Sequence, residues 1–281
     1  MIIGVTGFRG RLGSWLVKKG CTPFDCDITD VKSIRQEMEE TKPDVIINCA
    51  AYTKVDEAEK DADTFKKVLK VNMWGPARLR QEFDGLLIQI STGHIFNGSK
   101  GPYSEEGKPG PINVYGWSKY AGEISAKMRS PTLIVRVYDL YGVGPKADFV
   151  RYTRDIIQLG TTESFSTRLY GTPTFIPHLS EAILEVANRG LTGTLHLASD
   201  AQSINRYQWA KMIVEYFELE VDLVKPTSEV LGEAPRPLRA GLAVDKARLL
   251  GLPLYTPPEG LAALKNWELV RAESELPIPT S

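Results

Sequence analysis

A doubly wound α/β fold, in which a parallel sheet carries helices on both faces, is predicted by three observations. The chain starts on an apolar stretch, Met1-Ile2-Ile3-Gly4-Val5-Thr6, with the composition of a buried strand. A glycine-rich turn, Gly7-Phe8-Arg9-Gly10-Arg11-Leu12-Gly13, follows it directly. Short apolar runs then alternate with amphipathic segments through the first half, the pattern of successive strand–helix units.

Taken in order, residues 1–6 form the first strand and residues 12–19 a helix with Leu12, Trp15 and Leu16 on one face. Asp30 caps a second helix, in which Val31, Ile34 and Met38 keep helical spacing. Residues 44–48 are a strand of the fully buried type. Residues 58–83 have helix-forming composition, with an interruption expected at Gly75-Pro76. Strands at 86–90 and 132–137 flank a helix at 114–128. The second half is less regular. Helices are expected at 149–159 and 179–187, a strand at 194–198, and a further helix after Ser203 with Trp209, Ile213 and Phe217 aligned. Prolines punctuate the remainder, and the tail at 277–281 is expected to fray. This half reads as a smaller lobe interleaved with the last elements of the sheet.

Composition excludes several classes of protein. The 281 residues include 34 Lys plus Arg against 35 Asp plus Glu, a net charge of -1, which argues against a dedicated nucleic-acid binder. Hydrophobic residues at 42% and charged residues at 25% match a globular chain, not a disordered one. No apolar run reaches the length of a membrane span, and no basic segment followed by an apolar one opens the chain. Cys21, Cys26 and Cys49 lack the pairing and spacing of a disulfide framework or zinc site, so a reduced, cytoplasmic protein is expected.

Gly7, Gly10 and Gly13 permit a tight turn and close approach of backbone to a pyrophosphate at a helix N-terminus, where free N–H groups favour negative charge. The position between strand and helix gives the motif its weight. An acid about 20 residues on usually holds the ribose hydroxyls, and Asp25 is the candidate. Arg9 and Arg11 are candidates for a 2′-phosphate, which favours NADP(H) while leaving NAD(H) open; the alternative is a pair of solvated loop charges.

Tyr115-Gly-Trp-Ser-Lys119 places a phenol and an ammonium on one helical face. A free tyrosine has a pKa of about 10, and a nearby cation lowers it. The pair is then able to exchange a proton with a carbonyl or alcohol oxygen while a hydride moves.

These motifs occur in a fixed order with Asn48-Cys-Ala-Ala-Tyr52-Thr-Lys-Val-Asp56, Ser91-Thr92, Val71-Asn72, Phe96-Asn-Gly98, Pro102-Tyr103, Tyr141-Gly142, Gly171-Thr-Pro173 and Arg236-Pro237. From residue 1 to about residue 265 the chain resembles the extended short-chain dehydrogenase/reductase family, and within it the dTDP-4-dehydrorhamnose reductase-like subfamily. The resemblance implies a Rossmann-type sheet with an NADP(H)-binding domain at 1–145. Residues 146–281 would then be mainly a substrate-binding lobe, with some elements returning to the sheet. It also implies that Gly7, Phe8, Arg9, Gly10, Arg11, Leu12 and Gly13 hold the pyrophosphate side of the cofactor, and Asp27 and Ile28 the adenine. Ala50, Ala51 and Tyr52 line it further on. Thr92 would bond the reacting oxygen, Tyr115 would be the general acid, and Lys119 would hold the nicotinamide ribose and depress the tyrosine pKa. Thr53, Val55, His94, Asp139 and Arg236 are the candidates for substrate contact.

The departures from the family fall on the substrate side. Gly93-His94 stand where the family has Asp-Tyr, Asp139 where it brings a tryptophan, and Arg168-Leu169 where it has Asp-Gln. Trp15 occupies the position of a glutamate used in metal-bridged dimers, so no metal is expected. Arg168 and Arg236 suit a diphosphate, with a surface ion pair as the alternative for Arg236. His178 and His196 have the setting of structural residues, and Asp56 and Glu59 of loop organisers. The resulting expectation is an NADPH-dependent reductase of a 4-keto-6-deoxy nucleotide sugar, monomeric or homodimeric, with no nucleic-acid or membrane partner. The alternatives are a nucleotide-sugar epimerase or dehydratase, and a non-catalytic NADP-binding regulatory subunit like the β subunit of methionine adenosyltransferase.

Overall fold

A computed structural model describes residues 1–129, 131–142 and 148–274, with side chains as far as residue 268. The expected fraying at 277–281 and the expected domain boundary at 145/146 lie outside the described residues. The sheet strands are β1 (Ile3–Thr6), β2 (Thr22–Pro23), β3 (Val45–Asn48), β4 (Leu86–Thr92), β5 (Thr132–Val137) and, after β6 to β9 below, β10 (Gly193–His196). They run parallel in the order β10-β5-β4-β3-β1-β2. The chain winds from β1 out to β2, then returns past β1 to β3, β4, β5 and β10. The reversal between β1 and β3 opens a crevice at the strand carboxyl ends, where such sheets bind ligands.

Every residue of β1, β3, β4 and β5 is buried, as a sheet covered on both faces requires. Alternate side chains serve opposite faces. Val45, Ile47, Ile88, Leu133 and Val135 join the core under α1 (Arg11–Lys18) and α7 (Ile176–Asn188). Ile46, Leu87 and Ile134 pack with Ile34 and Leu79 under α2 (Val31–Thr41) and α4 (Gly75–Glu82). Burial of each such aliphatic side chain stabilises the fold by about 2 kcal/mol.

The segment before α4 departs from expectation. Helix α3 (Ala62–Leu69) widens into one π-helical turn at Lys70–Trp74, and Gly75-Pro76 open α4 rather than break a helix. The extra residue aims Asn72, 1% exposed, inward. Its carboxamide accepts from Tyr52 N at 2.8 Å and donates to Tyr52 O and to Ser118 Oγ, each at 2.9 Å. The turn thus pins the loop after β3 to helix α5 (Val114–Ala126).

The remaining elements are β6 (Leu140–Tyr141), α6 (Phe149–Gln158), β7 (Glu163–Ser166), β8 (Tyr170–Gly171), β9 (Thr174–Phe175), β11 (Ile204–Asn205), α8 (Arg206–Tyr216), β12 (Val224–Thr227), α9 (Asp245–Leu249) and α10 (Pro257–Ser274). Short pairs β6–β9, β7–β12 and β8–β11 tie them together. Tyr141, Phe175, Trp209, Ile213 and Leu261 form one small core, and Ile157, Phe165, Val214 and Val224 another. Helix α8 begins two residues later than Ser203 implies, because Asn205 and Gln208 form a capping box. Helix α10 was not expected: Pro257 and Pro258 sit in its first turn, where proline is tolerated, instead of ending structure. Trp15, at the position of the dimer glutamate, packs edge-on against Trp267 of α10 at 6.4 Å.

Candidate active site

The glycine turn is built for close approach. Gly7 has φ +61°, and a Cβ there would lie 2.6 Å from Ala50 N; one on Gly13 would lie 2.5 Å from Gly7 O. No side chain caps α1, so the N–H groups of its first turn have no intrahelical partner. A cavity of about 350 Å³ opens beside the start of the turn, lined by Gly7, Phe8, Arg9, Gly10, residues 24–29, Cys49, Ala50, Ala51 and Val71. An uncapped helix start and glycines no side chain can replace are what a pyrophosphate needs, so these residues fit a dinucleotide.

The two loop arginines part company. Arg9 lines the cavity and pairs with Asp25, Nη1 to Oδ1 at 3.0 Å and Nη2 to Oδ2 at 2.8 Å. Arg11 does not line it. Its guanidinium turns to Asp148, 3.1 Å away and itself the cap of α6 through Val150 N and Arg151 N. The expectation that Arg11 serves a 2′-phosphate is therefore corrected: a buried carboxylate already holds it. Leu12 is buried in the core, and neither it nor Gly13 is on the cavity lining. Asp27 and Ile28 both line the cavity, and the Asp27 carboxylate accepts from Thr29 N at 2.8 Å. Hydrogen bonds from the Thr29 side chain and then from its backbone draw the Asp27 pKa below the usual carboxylate value. Tyr52 is not on the lining; its hydroxyl donates to Glu57 at 2.9 Å. Thr53 and Val55 follow on the same loop, Thr53 exposed and Val55 half-buried.

Thr92, Tyr115 and Lys119 come together at the carboxyl end of β4. The side chain of Asn113 caps α5 through Gly116 N at 2.7 Å, and so fixes Tyr115 in the first turn. The Tyr115 phenol sits against Thr92, whose Oγ1 accepts from His94 N at 3.2 Å. Lys119 Nζ donates to Ile90 O at 2.6 Å. Burial pushes the Tyr115 pKa up to about 12, opposed by the Thr92 hydrogen bond, and pulls Lys119 down to about 8, opposed by Glu123. The expected depression of the tyrosine pKa by Lys119 is thus absent here: the ammonium is anchored on a strand carbonyl, and desolvation decides the phenol.

His94 lies between two phenols, 5.4 Å edge-on from Tyr115 and 5.6 Å stacked on Tyr138. Burial, with help from Arg236 and Arg206, drops its pKa to about 3, so the imidazole is neutral. Asp139 is held with φ +47° and paired to Arg206, so its carboxylate is already engaged. Arg236 pairs with Asp56 at 2.7 Å, and Asp56 also accepts from Ala234 N at 3.0 Å. The ion-pair alternative for Arg236 is the arrangement present. Glu59 accepts from Val114 N at 2.7 Å, so Asp56 and Glu59 both organise loops. Arg168 is exposed on the turn between β7 and β8. His178 stacks on Tyr255 at 3.6 Å, and His196 is fully buried. Among the described residues no group of His, Cys, Asp and Glu is placed to hold a metal ion.

Glu123, Arg206, Asn72 and Asn113 carry this geometry, and sequence reasoning assigned none of them a role. Glu123 had a signal: one turn beyond Lys119 it shares that face, and Arg136 in an apolar strand demands a buried partner. Glu123 accepts from Arg136 Nε and Nη2, both at 2.9 Å, and from Ser91 Oγ.

A parallel sheet with an uncapped glycine turn at its switch point, and a Thr–Tyr–Lys set beside it, defines a dinucleotide-dependent protein of the extended short-chain dehydrogenase/reductase type. Residues 1–264 match the family model described as the RmlD substrate binding domain, and the chain belongs to that family. It is 29% identical to the dTDP-4-dehydrorhamnose reductase of Mycolicibacterium smegmatis, over 100% of this chain and 89% of that protein. It is 31% identical to the dTDP-4-keto-6-deoxy-D-glucose reductase of Streptomyces niveus, over 88% and 90%. The crystal structure of dTDP-4-dehydrorhamnose reductase from Bacillus anthracis in complex with NADP superposes with a TM-score of 0.87 at 32% identity, covering 94% of this chain and 99% of that one.

Proposed function

We propose that this chain reduces the 4-keto group of a 4-keto-6-deoxy nucleotide sugar with NADPH, as a step in deoxysugar synthesis of the rhamnose type. The observation that carries the reading is the convergence of the Tyr115 and Thr92 hydroxyls at the end of β4, one helical turn from the buried Lys119. Residues 1–145 act as the dinucleotide-binding domain and the remainder mainly as the substrate lobe. Gly7, Gly10, Gly13 and the start of α1 hold the pyrophosphate. Asp27, Ile28, Ala50 and Ala51 face the adenosine half, and Tyr52 and Lys119 the nicotinamide half. The bound dinucleotide supplies a hydride.

Tyr115 delivers the proton. With a pKa of about 12 the phenol keeps its proton at neutral pH, so Tyr115 enters the reduction in its acid form. Thr92 orients the carbonyl oxygen and donates to it as charge develops. Lys119, with its ammonium on Ile90 O, holds the nicotinamide ribose. His94, neutral and set against the Tyr115 ring, is a donor to the sugar. A dehydratase, by contrast, needs an acid beside Thr92. At Gly93 even a Cβ would lie 2.5 Å from Ala240 O, so no such side chain fits. No helix among the described residues is long and apolar enough to cross a membrane, and three free thiols suit a reducing, cytoplasmic setting.

The test is NADPH oxidation with a panel of 4-keto-6-deoxy nucleotide sugars. Turnover with at least one dTDP-linked member is expected. Tight NADPH binding with no turnover on any member would favour the regulatory-subunit alternative.

A further inference from the structure

We propose that a cavity beside the second half of α5 binds a small sugar phosphate, apart from the dinucleotide crevice, with the phosphate held between Lys127 and Lys246. The cavity measures about 560 Å³, a size that suits a small ligand. It lies between α5, the loop at 105–109, the edge strand β10 and Lys246 of α9. Tyr120, Glu123, Ile124 and Lys127 reach it together, because steps of three and four residues put them on one side of α5. None of its lining residues lines the cavity beside the glycine turn or belongs to the Thr92–Tyr115–Lys119 set.

The charges in the cavity point to an anion. Lys127 Nζ donates to Thr194 Oγ1 at 2.9 Å, and Lys246 Nζ donates to Thr194 O at 2.7 Å. Two ammoniums, one from α5 and one from α9, are thus gathered on neutral oxygens of a single residue. Neither has an ion pair among the described residues. Like charges so placed repel, and an anion between them removes the repulsion. Burial lowers the Lys127 pKa, and Arg136 and Lys246 add to this against Glu123 and Glu106. Lys108 lines the same cavity from the loop. The carboxylates that could answer these cations are mostly engaged elsewhere. Glu123 is paired with Arg136 at 2.9 Å, and Glu105 accepts from His196 N at 2.9 Å.

A phosphate monoester carries about −1.5 to −2 charges at pH 7, which matches two ammoniums. It would take the place of Thr194 as their shared partner. The rest of the lining suits a sugar. Glu106 has no hydrogen bond or ion pair among the described residues, so its carboxylate is open to accept from hydroxyls. Pro109 and the exposed Ile124 offer apolar surface to the C–H face of a ring.

The experiment is calorimetric titration of the wild-type chain, Lys127→Gln, Lys246→Gln and the double variant with glucose 6-phosphate, glucose and inorganic phosphate, all with NADPH present at saturation. Far-ultraviolet circular dichroism confirms that each variant is folded. Wild type should bind glucose 6-phosphate several-fold tighter than inorganic phosphate, and glucose alone should not register. Each single variant should bind glucose 6-phosphate about tenfold weaker, and the double variant should lose it. Glucose 6-phosphate binding in the double variant within about twofold of wild type overturns the proposal, because the ligand is then held elsewhere. Equal affinity for glucose 6-phosphate and inorganic phosphate overturns it as well, since the lysines then form only an unselective anion patch. So does a wild-type chain that binds no phosphate compound.

Discussion

The Tyr115 phenol and the Lys119 ammonium stand at about 12 and about 8, both displaced by burial from their ordinary values. The acid therefore stays loaded over the accessible range, while the cation is lost just above neutrality. kcat/KM for reduction should be level through neutral pH and fall above about 8 as Lys119 gives up its proton. A pH–rate profile checks this, and Lys119→Met should be slower throughout and lack the alkaline limb. The Tyr–Lys spacing was legible because helical periodicity alone puts the pair on one face. The sign of the tyrosine shift was not legible, because it depends on where Lys119 Nζ finds a partner, and Ile90 O is 29 positions away in a different element. Asp139 was legible as a candidate but not as a member of an ion pair, and the ion pair weighed for Arg236 had no partner named, since Arg206 and Asp56 reach them across the fold.

At the scale of elements, α5 is held to β4 and β5 by one buried cluster as well as by apolar contacts. Glu123 and Arg136 have side chains only 2% and 4% exposed, so each charge depends on the other. Glu123→Gln should lower unfolding free energy by about 3–5 kcal/mol, measured by urea denaturation, because it leaves a buried guanidinium without its counter-charge. Strands β3 and β5 were legible from their unbroken apolar runs. The two-residue strands β2, β6, β8, β9 and β11 were not, because their pairing is set by distant partners and not by local composition. The π-helical turn at Lys70–Trp74 was equally hidden: one extra residue per turn leaves composition unchanged, and its reason, the bond from Asn72 to Ser118, lies on another helix.

Over the whole molecule, the second half returns to the sheet through β10, and His196 closes that seam. It is 0% exposed, its Nδ1 is 3.1 Å from Ala243 O, and its Nε2 is 3.4 Å from Arg136. Burial and Arg136 lower its pKa from 6.5 to about 3, so between those values the unfolded chain binds a proton that the folded one refuses. Stability contributed by the neutral ring is present above 6.5 and is lost as pH falls toward 3, at about 1.4 kcal/mol per pH unit. Unfolding free energies measured from pH 7 to pH 4 should include this slope, with His94 adding a like one, and His196→Gln should reduce the total by about half. The doubly wound sheet itself was legible from the order of strands and helices, whereas the placement of α10 and the small strand pairs of the lobe required the folded chain. The account depends most on the proton donor, and the direct measurement is NADPH oxidation by Tyr115→Phe with the sugar that wild type turns over best, alongside NADPH affinity. The expected result is a rate lower by about a hundred- to ten-thousandfold with affinity nearly unchanged. A variant that oxidises NADPH as fast as wild type would contradict the account.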